Sequence, residues 1–510
     1  MAITQRGARS RPALSAIGAA AFLGLTTPAQ TWAQAAGSAA TASPETLDQM
    51  RAELQALRAE EAAAQAAEHA RSQRIEALAR QLGMAPSESS PTAAATVATT
   101  SAPPIETITP TPEAQTPIQT KGQAPRNFEI YGFAQADYIQ DFKRVDPNWD
   151  ATLRPSKIPT TPGEFGSNGQ SIISVRQSRF GVQASQEVAG EPFYVKFEFD
   201  LFGTGANEGQ TTFRLRHAYG SWGPILAGQT NSVFMDADNF PNVIDYWGPN
   251  GMIFVRTPQI RYTWKSGPHE IAVALEHVLN NIDPGNIREF DPELPVTNDE
   301  KVPDLTAHYR YDGAFGHVQL AGVLRRVGYD TPAPFNDEPK GHNTGWGVNL
   351  SSNVKTWQKD VLHVSAVYGH GIASYMNDGG VDLAPQTLVQ PPAHSFAGPT
   401  FTTEAVPIWG VMAYYDHYWT KVLSSSFGYS EVRVVNTPVQ DPSAFKVGQY
   451  ASANLLWSPD PRILIGGEFL WGRLVDKSGT TCPTCGLPSM GDDTRFQLTF
   501  KYSFSSNDFR

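Results

Sequence analysis

The connections constrain this chain more tightly than any single motif. From Phe128 onward about sixteen short segments alternate apolar and polar residues, and the stretches between them alternate in length. Long ones run 142–170, 231–254, 278–302, 327–342, 371–405 and 475–491. Between them fall tight turns: QEVAG, GP at Gly223, SGP at Gly267, DGA at Gly313 and SPDP at Pro459. A soluble β-sandwich has no reason to keep that alternation through successive hairpins. A barrel crossing an outer membrane does, with short periplasmic turns at one end and long external loops at the other.

The segment FYVKFEFDLFG (193–203) shows the period-2 chemistry such a barrel needs. Phe193, Val195, Phe197 and Phe199 share one face, while Lys196, Glu198 and Asp200 share the other. The first face suits lipid and the second a watery lumen. The sixteen segments are FEIYGFAQADYIQ (128–140), IISVRQSRFGVQA and FYVKFEFDLFG, followed by thirteen more that end at TRFQLTFKYSF (494–504). The expected fold is all-β: an antiparallel transmembrane barrel of sixteen strands over 127–510, preceded by a short α-helical coiled coil. Within it, ILAGQT and FGHVQLAGV alternate poorly.

Composition agrees. Of 510 residues 17% are charged and 11% aromatic, with 43 Gly and 39 Pro, which favours β structure with many turns. The net charge of −11 argues against a nucleic-acid partner. Past the N-terminus no run approaches the roughly 18 apolar residues of a membrane-spanning helix.

Three segments precede the barrel. Arg6, Arg9 and Arg11, then the apolar stretch Ala13 to Leu25 and small residues, form a signal peptide (1–35) with cleavage after Ala33 or Ala35. The mature chain is therefore expected outside the cytoplasm. In 36–84, Leu47, Met50, Leu54 and Leu57 follow a 3-4 spacing that resumes at Ile75, Leu78 and Leu82. That spacing predicts a short parallel oligomeric coiled coil, with an isolated solvated helix as the alternative. Residues 85–126, rich in Pro, Thr and Ala, read as an extended linker. Helix and linker would suit tethering to peptidoglycan. Cys482 and Cys485 are the only cysteines, and in an exported loop they read as a disulfide rather than a redox or metal half-site.

Period-2 parity assigns the lumen. It places Arg179, Lys196, Arg214, Arg216, Arg261, Lys265, His308 and Arg310 inside, and it places Phe213, Leu215 and Tyr219 outside. Arg176 has the opposite parity to Arg179. The loop 231–254 follows the fifth strand and carries Asp236, Asp238 and Asp245. For each Arg the alternative is a structural ion pair with a neighbouring acid. DADN lacks the rest of a calcium-loop pattern, and no motif calls for a metal or cofactor. Neither GxSxG nor HExxH occurs, and His217 and His417 fall at lipid-facing parity, so an enzyme is not expected.

Several strings resemble general porins: SRFGV (178–182), RHAYGSWGPILAGQT (216–230) and the aromatic C-terminal strand FQLTFKYSF. The coiled-coil opening, GQTNSVFMD and TPQIRYTW are similar to the DcaP-like trimeric outer-membrane porins. That resemblance covers nearly the whole mature chain. It implies a homotrimer in outer-membrane lipid, a periplasmic placement of the coiled coil (36–84), and passage of small anionic solutes such as dicarboxylates. It also implies barrel-assembly machinery that reads Phe504 or Phe509. In general porins the positions matching Arg179 and Arg216 belong to a basic ladder on the barrel wall, and the loop after the fifth strand folds inward; the resemblance implies that Asp236, Asp238 and Asp245 oppose that wall and set a field across the pore. Gln229 stands where many porins place a further Arg.

Overall fold

The computed structural model describes residues 127–203, 212–277, 279–283, 296–332, 339–389, 400–478 and 489–509. The predicted signal peptide, coiled coil and linker, and Cys482 with Cys485, lie outside the described residues.

Sixteen antiparallel strands close into a barrel. They are β1 (Asn127–Asp141), β3 (Arg179–Val188), β4 (Glu191–Asp200), β5 (Arg214–Trp222), β6 (Ile225–Asn231), β7 (Arg256–Ser266), β8 (His269–Glu276) and β10 (Asp304–Gly313). The second half is β11 (Gly316–Asp330), β12 (Gly341–Lys355), β13 (Val361–His370), β16 (Pro407–Tyr418), β17 (Leu423–Val434), β18 (Phe445–Asp460), β19 (Ile463–Asp476) and β20 (Met490–Ser505). Each pairs with the next along the chain, and β1 closes the ring on β20 with Gly132 opposite Phe504. Among the described residues, four shorter strands lie in the long loops: β2 (Gln170–Ser174), β9 (Thr297–Asn298), β14 (Leu383–Val389) and β15 (Thr400–Ala405).

The expected alternation of connections holds. The β3–β4 turn is only Ala189 and Gly190, both at positive φ (54° and 79°), the geometry that lets two strands reverse in two residues. Long loops all fall at the opposite end.

One expected strand is two. IISVRQSRFGVQA breaks at 175–178, so that β2 pairs with Asp137–Asp141 of β1, and β3 pairs with Asn127–Phe133. At the break Ser178 Oγ accepts from Gln135 N (3.0 Å), and Gln177 Nε2 donates inward to Ile244 O (2.9 Å). Arg176 is turned into this gap, donating to Asn148 O and Gly203 O with its guanidinium 4.5 Å from the Phe202 ring.

The apolar core sits inside the barrel, where three long loops fold in. Phe234, Ile253, Ile372, Tyr375 and Met376 pack on Val323, Ile408 and Val432 of the wall. Val145, Leu153, Ile158 and Met252 pack on Met412, Tyr414, Tyr450 and Leu470. This explains the weak alternation in FGHVQLAGV: Ala321 and Val323 point inward but meet loop side chains rather than water. Burial of such side chains, at about 25 cal/mol per Å² of apolar surface, helps hold the loops in place.

Candidate channel constriction

The barrel wall supplies the first half of the site. On β4, Glu198 and Asp200 point inward and are buried. Tyr131 donates to Glu198 (2.8 Å), and Arg216 Nε (2.8 Å), Lys196 Nζ (3.3 Å) and Arg179 Nη1 (3.5 Å) surround the same carboxylate. Asp200 accepts from Arg214 Nη2 (2.9 Å), Arg216 Nη1 (3.0 Å) and the Tyr246 hydroxyl (2.5 Å). Four cations thus enclose two carboxylates, which leaves this wall with an excess of positive charge.

A β-bulge concentrates those cations. Phe199 pairs with Leu215 and Glu198 with His217, so Arg216 is the extra residue of the bulge and the parity of β5 changes there. As a result Arg214, Arg216 and His217 all face the lumen. This corrects two sequence readings. His217 is buried, 3.0 Å from Thr230 Oγ1 and 4.0 Å from Glu198, not lipid-facing. Tyr219, paired with Lys196 and tilted on Tyr194, also faces inward. Nothing in the period-2 pattern of FRLRHAYG marks the extra residue.

The loop 232–255 supplies the second half, and it folds inward as expected. His308 Nδ1 contacts Val233 O (3.1 Å), its Nε2 contacts Glu270 (3.2 Å), and Lys265 pairs with Glu270 (3.0 Å). Arg261 donates to Asn231 O (2.5 Å) and Gln259 Oε1 (2.9 Å). Arg310 holds Asp238 (2.7 Å), Asp312 (2.9 Å) and Asp236 (3.4 Å). Arg261, His308 and Arg310 therefore anchor the start of the loop.

The three aspartates are not free charges set against the basic wall. Asp236 is buried against His317 Nε2 (2.7 Å) and Ser351 Oγ (2.6 Å). Burial opposes its ionisation, but His317, Ser351 and Arg310 outweigh that and hold its carboxyl below the ordinary value. Asp238 keeps more water contact beside Arg310. Asp245 is buried, accepting from Thr152 Oγ1 (2.8 Å), Leu153 N (3.1 Å), Gly248 N (3.2 Å) and Tyr450 OH (3.1 Å). Burial raises its carboxyl above the ordinary value, and those hydrogen bonds offset only part of the effect. Further along, Gly251 N donates to Ser430 Oγ (2.7 Å). A Cβ on Gly251 would collide with the carbonyl oxygens of Glu431 and Val411, so the loop backbone lies directly on β16 and β17.

Between loops and wall is a cavity of about 650 Å³. Arg154, Lys157, Arg214 and Arg256 line it, as do Tyr246, Trp247, Asp378 and Asp476. Arg154 grips Asp378 through Nε (3.0 Å) and Nη2 (2.7 Å), with its guanidinium 4.2 Å from the Trp149 ring and 4.1 Å from the Trp247 ring. Arg154, Lys157 and Arg256 were missed from sequence. The first two sit in a long aperiodic loop, and Arg256 stands at the mouth of β7 with lipid-facing parity. The strands give no signal that would place any of them in the lumen.

A closed sixteen-strand barrel with an inward loop and a charged lumen defines an outer-membrane channel of porin type. The chain belongs to the DcaP outer membrane protein family, whose profile matches residues 111–387. Its fold is similar to that of the outer membrane channel DcaP of Acinetobacter baumannii: 22% identity, TM-score 0.61, covering 76% of this chain and 99% of that one. The anion-selective porin from Comamonas acidovorans aligns at 10% identity and TM-score 0.47, over 74% of this chain and 100% of its own. OmpT of Vibrio cholerae aligns at 9% identity and TM-score 0.44, over 76% of this chain and 100% of its own. No curated protein sequence matches the chain.

Proposed function

We propose that this outer-membrane barrel is a passive, anion-preferring channel for small solutes of dicarboxylate type, working as a homotrimer. The observation that carries the reading is the cavity at the inward loop. Four bases, Arg154, Lys157, Arg214 and Arg256, line it with two carboxylates, Asp378 and Asp476, beside a wall where four cations enclose Glu198 and Asp200. An excess of fixed positive charge in a narrow low-dielectric passage raises the local concentration of anions and opposes cations. The bases come from two sides, the first long loop and strands β5 and β7, so a solute with a carboxylate at each end is met at both. A cavity of this volume suits a small molecule rather than a polymer.

Liposome swelling tests the solute class. Vesicles carrying the purified protein should swell faster in succinate than in a neutral sugar of equal size. Equal rates, or a faster rate in the sugar, would count against it. The trimer is tested in planar bilayers, where insertion should give conductance in steps of three.

A further inference from the structure

The outer wall of a membrane barrel is apolar between its aromatic rims, and along β7, β8 and β10 this one conforms. Ile260, Tyr262, Ile271, Val273, Leu275 and Leu305 are exposed there. Across β17–β20 the outward row nearest the long loops is different. Register sets Glu431 opposite Gln449, Gln449 opposite Arg473, and Arg473 opposite Asp492. Four polar side chains stand abreast on the outward face, one step beyond the outward aromatics Tyr429 and Trp471. Arg433, on the same face, lies 5.5 Å over the Trp409 ring.

Both carboxylates in the row are already engaged. Glu431 is bonded by Arg433, by the Tyr429 hydroxyl (2.5 Å) and by Gln449 Nε2 (2.8 Å). Asp492 is bonded by Lys143 (2.6 Å). Arg473 is left with the Trp471 ring, 5.2 Å away, and its Nε is buried without a hydrogen-bond partner among the described residues. The adjoining loop sequence 479–488, GTTCPTCGLP, holds no acidic residue and brings no counter-charge. Lys446 is exposed at the bulge that opens β18. The patch is thus net positive on a chain whose net charge is −11.

A guanidinium stacked on tryptophan at the lipid boundary, with hydrogen-bonding capacity unspent, is suited to an anion held at that depth. Outward aromatics fix the headgroup level, and the long-loop end of such a barrel faces the outer leaflet. Arginine's planar fork matches phosphate oxygens in pairs. We propose that the outward row on β17–β20 binds the phosphate of an outer-leaflet glycolipid, with Arg473 and Arg433 on the phosphate and Trp471 and Trp409 against the lipid body. The inference is independent of the solute that the lumen carries.

Native mass spectrometry of the full chain in detergent tests it, with bis-phosphorylated lipid A and its dephosphorylated form as probes. The wild-type protein should retain the phosphorylated probe and release the other. Arg433→Ala/Arg473→Ala should weaken retention at least tenfold, since each lost charge-assisted contact is worth about that much. Equal retention of both probes by the wild type would overturn the proposal, and needs no variant to fold. So would unchanged retention in the double variant. A variant that loses its oligomeric state but keeps the phosphorylated probe would make this face a contact between copies, which also overturns it.

Discussion

The start and the middle of the inward loop are held by the same residue type in opposite surroundings. Asp236 meets Arg310 and His317, and its carboxyl is held below the ordinary value. Asp245 meets two hydroxyls and two backbone N–H groups, and burial lifts its carboxyl above that value. One anchor works as a charge, the other as a cluster of hydrogen bonds. Substitutions that are chemically identical should therefore have different consequences at the two sites.

The largest effect belongs to Asp236→Asn, which replaces the buried carboxylate bonded by His317 and Ser351 with an amide and should cost the docked loop about 3 kcal/mol. Single-channel records should show a higher, noisier conductance as the loop leaves the wall. Gly251→Ala comes next. The Cβ is forced against the carbonyls of β16 and β17, an overpacking cost of about 1–3 kcal/mol, and the same records should show partial opening. Asp245→Asn should be mildest, at about 1 kcal/mol, because an amide keeps the acceptor facing Thr152 and Leu153. A larger effect at Asp245 than at Asp236 would refute the distinction.

Acid separates the anchors without mutation. A carboxyl whose value is raised on folding stabilises the docked state fully below its ordinary value of 3.8, and loses that contribution as pH rises through the raised value. A carboxyl whose value is lowered contributes above 3.8 and loses its hold only as pH falls through the lowered value. Channel noise from loop motion should therefore fall as pH drops from neutral toward 3.8, then rise below it. A steady rise from neutral pH downward would contradict the assignment.

Much of the architecture was legible because lipid and water impose a period of two, and because turns and loops differ in length. The sixteen segments and the inward position of Glu198, Asp200 and Arg214 followed from those two rules, and the inward loop from the resemblance to general porins. What escaped had other physical origins. The bulge at Arg216 adds one residue without changing composition, so Tyr219 and His217 were read on the wrong face. Arg154 and Lys157 reach the cavity through a loop folded by tertiary contacts of Leu153 and Ile158, which no local pattern encodes. Asp236, Asp238 and Asp245 looked alike because charge state is set by neighbours, and those neighbours lie on strands far along the chain.

The central claim is that an excess of fixed positive charge at the constriction selects the solute's sign. Reversal potential across a planar bilayer under a potassium chloride gradient measures that directly, for the wild type and for Arg214→Ala/Arg216→Ala. We expect anion selectivity that drops several-fold in the double variant, as Glu198 and Asp200 lose two of their four cations. Cation selectivity in the wild type, carried over unchanged into the variant, would contradict it.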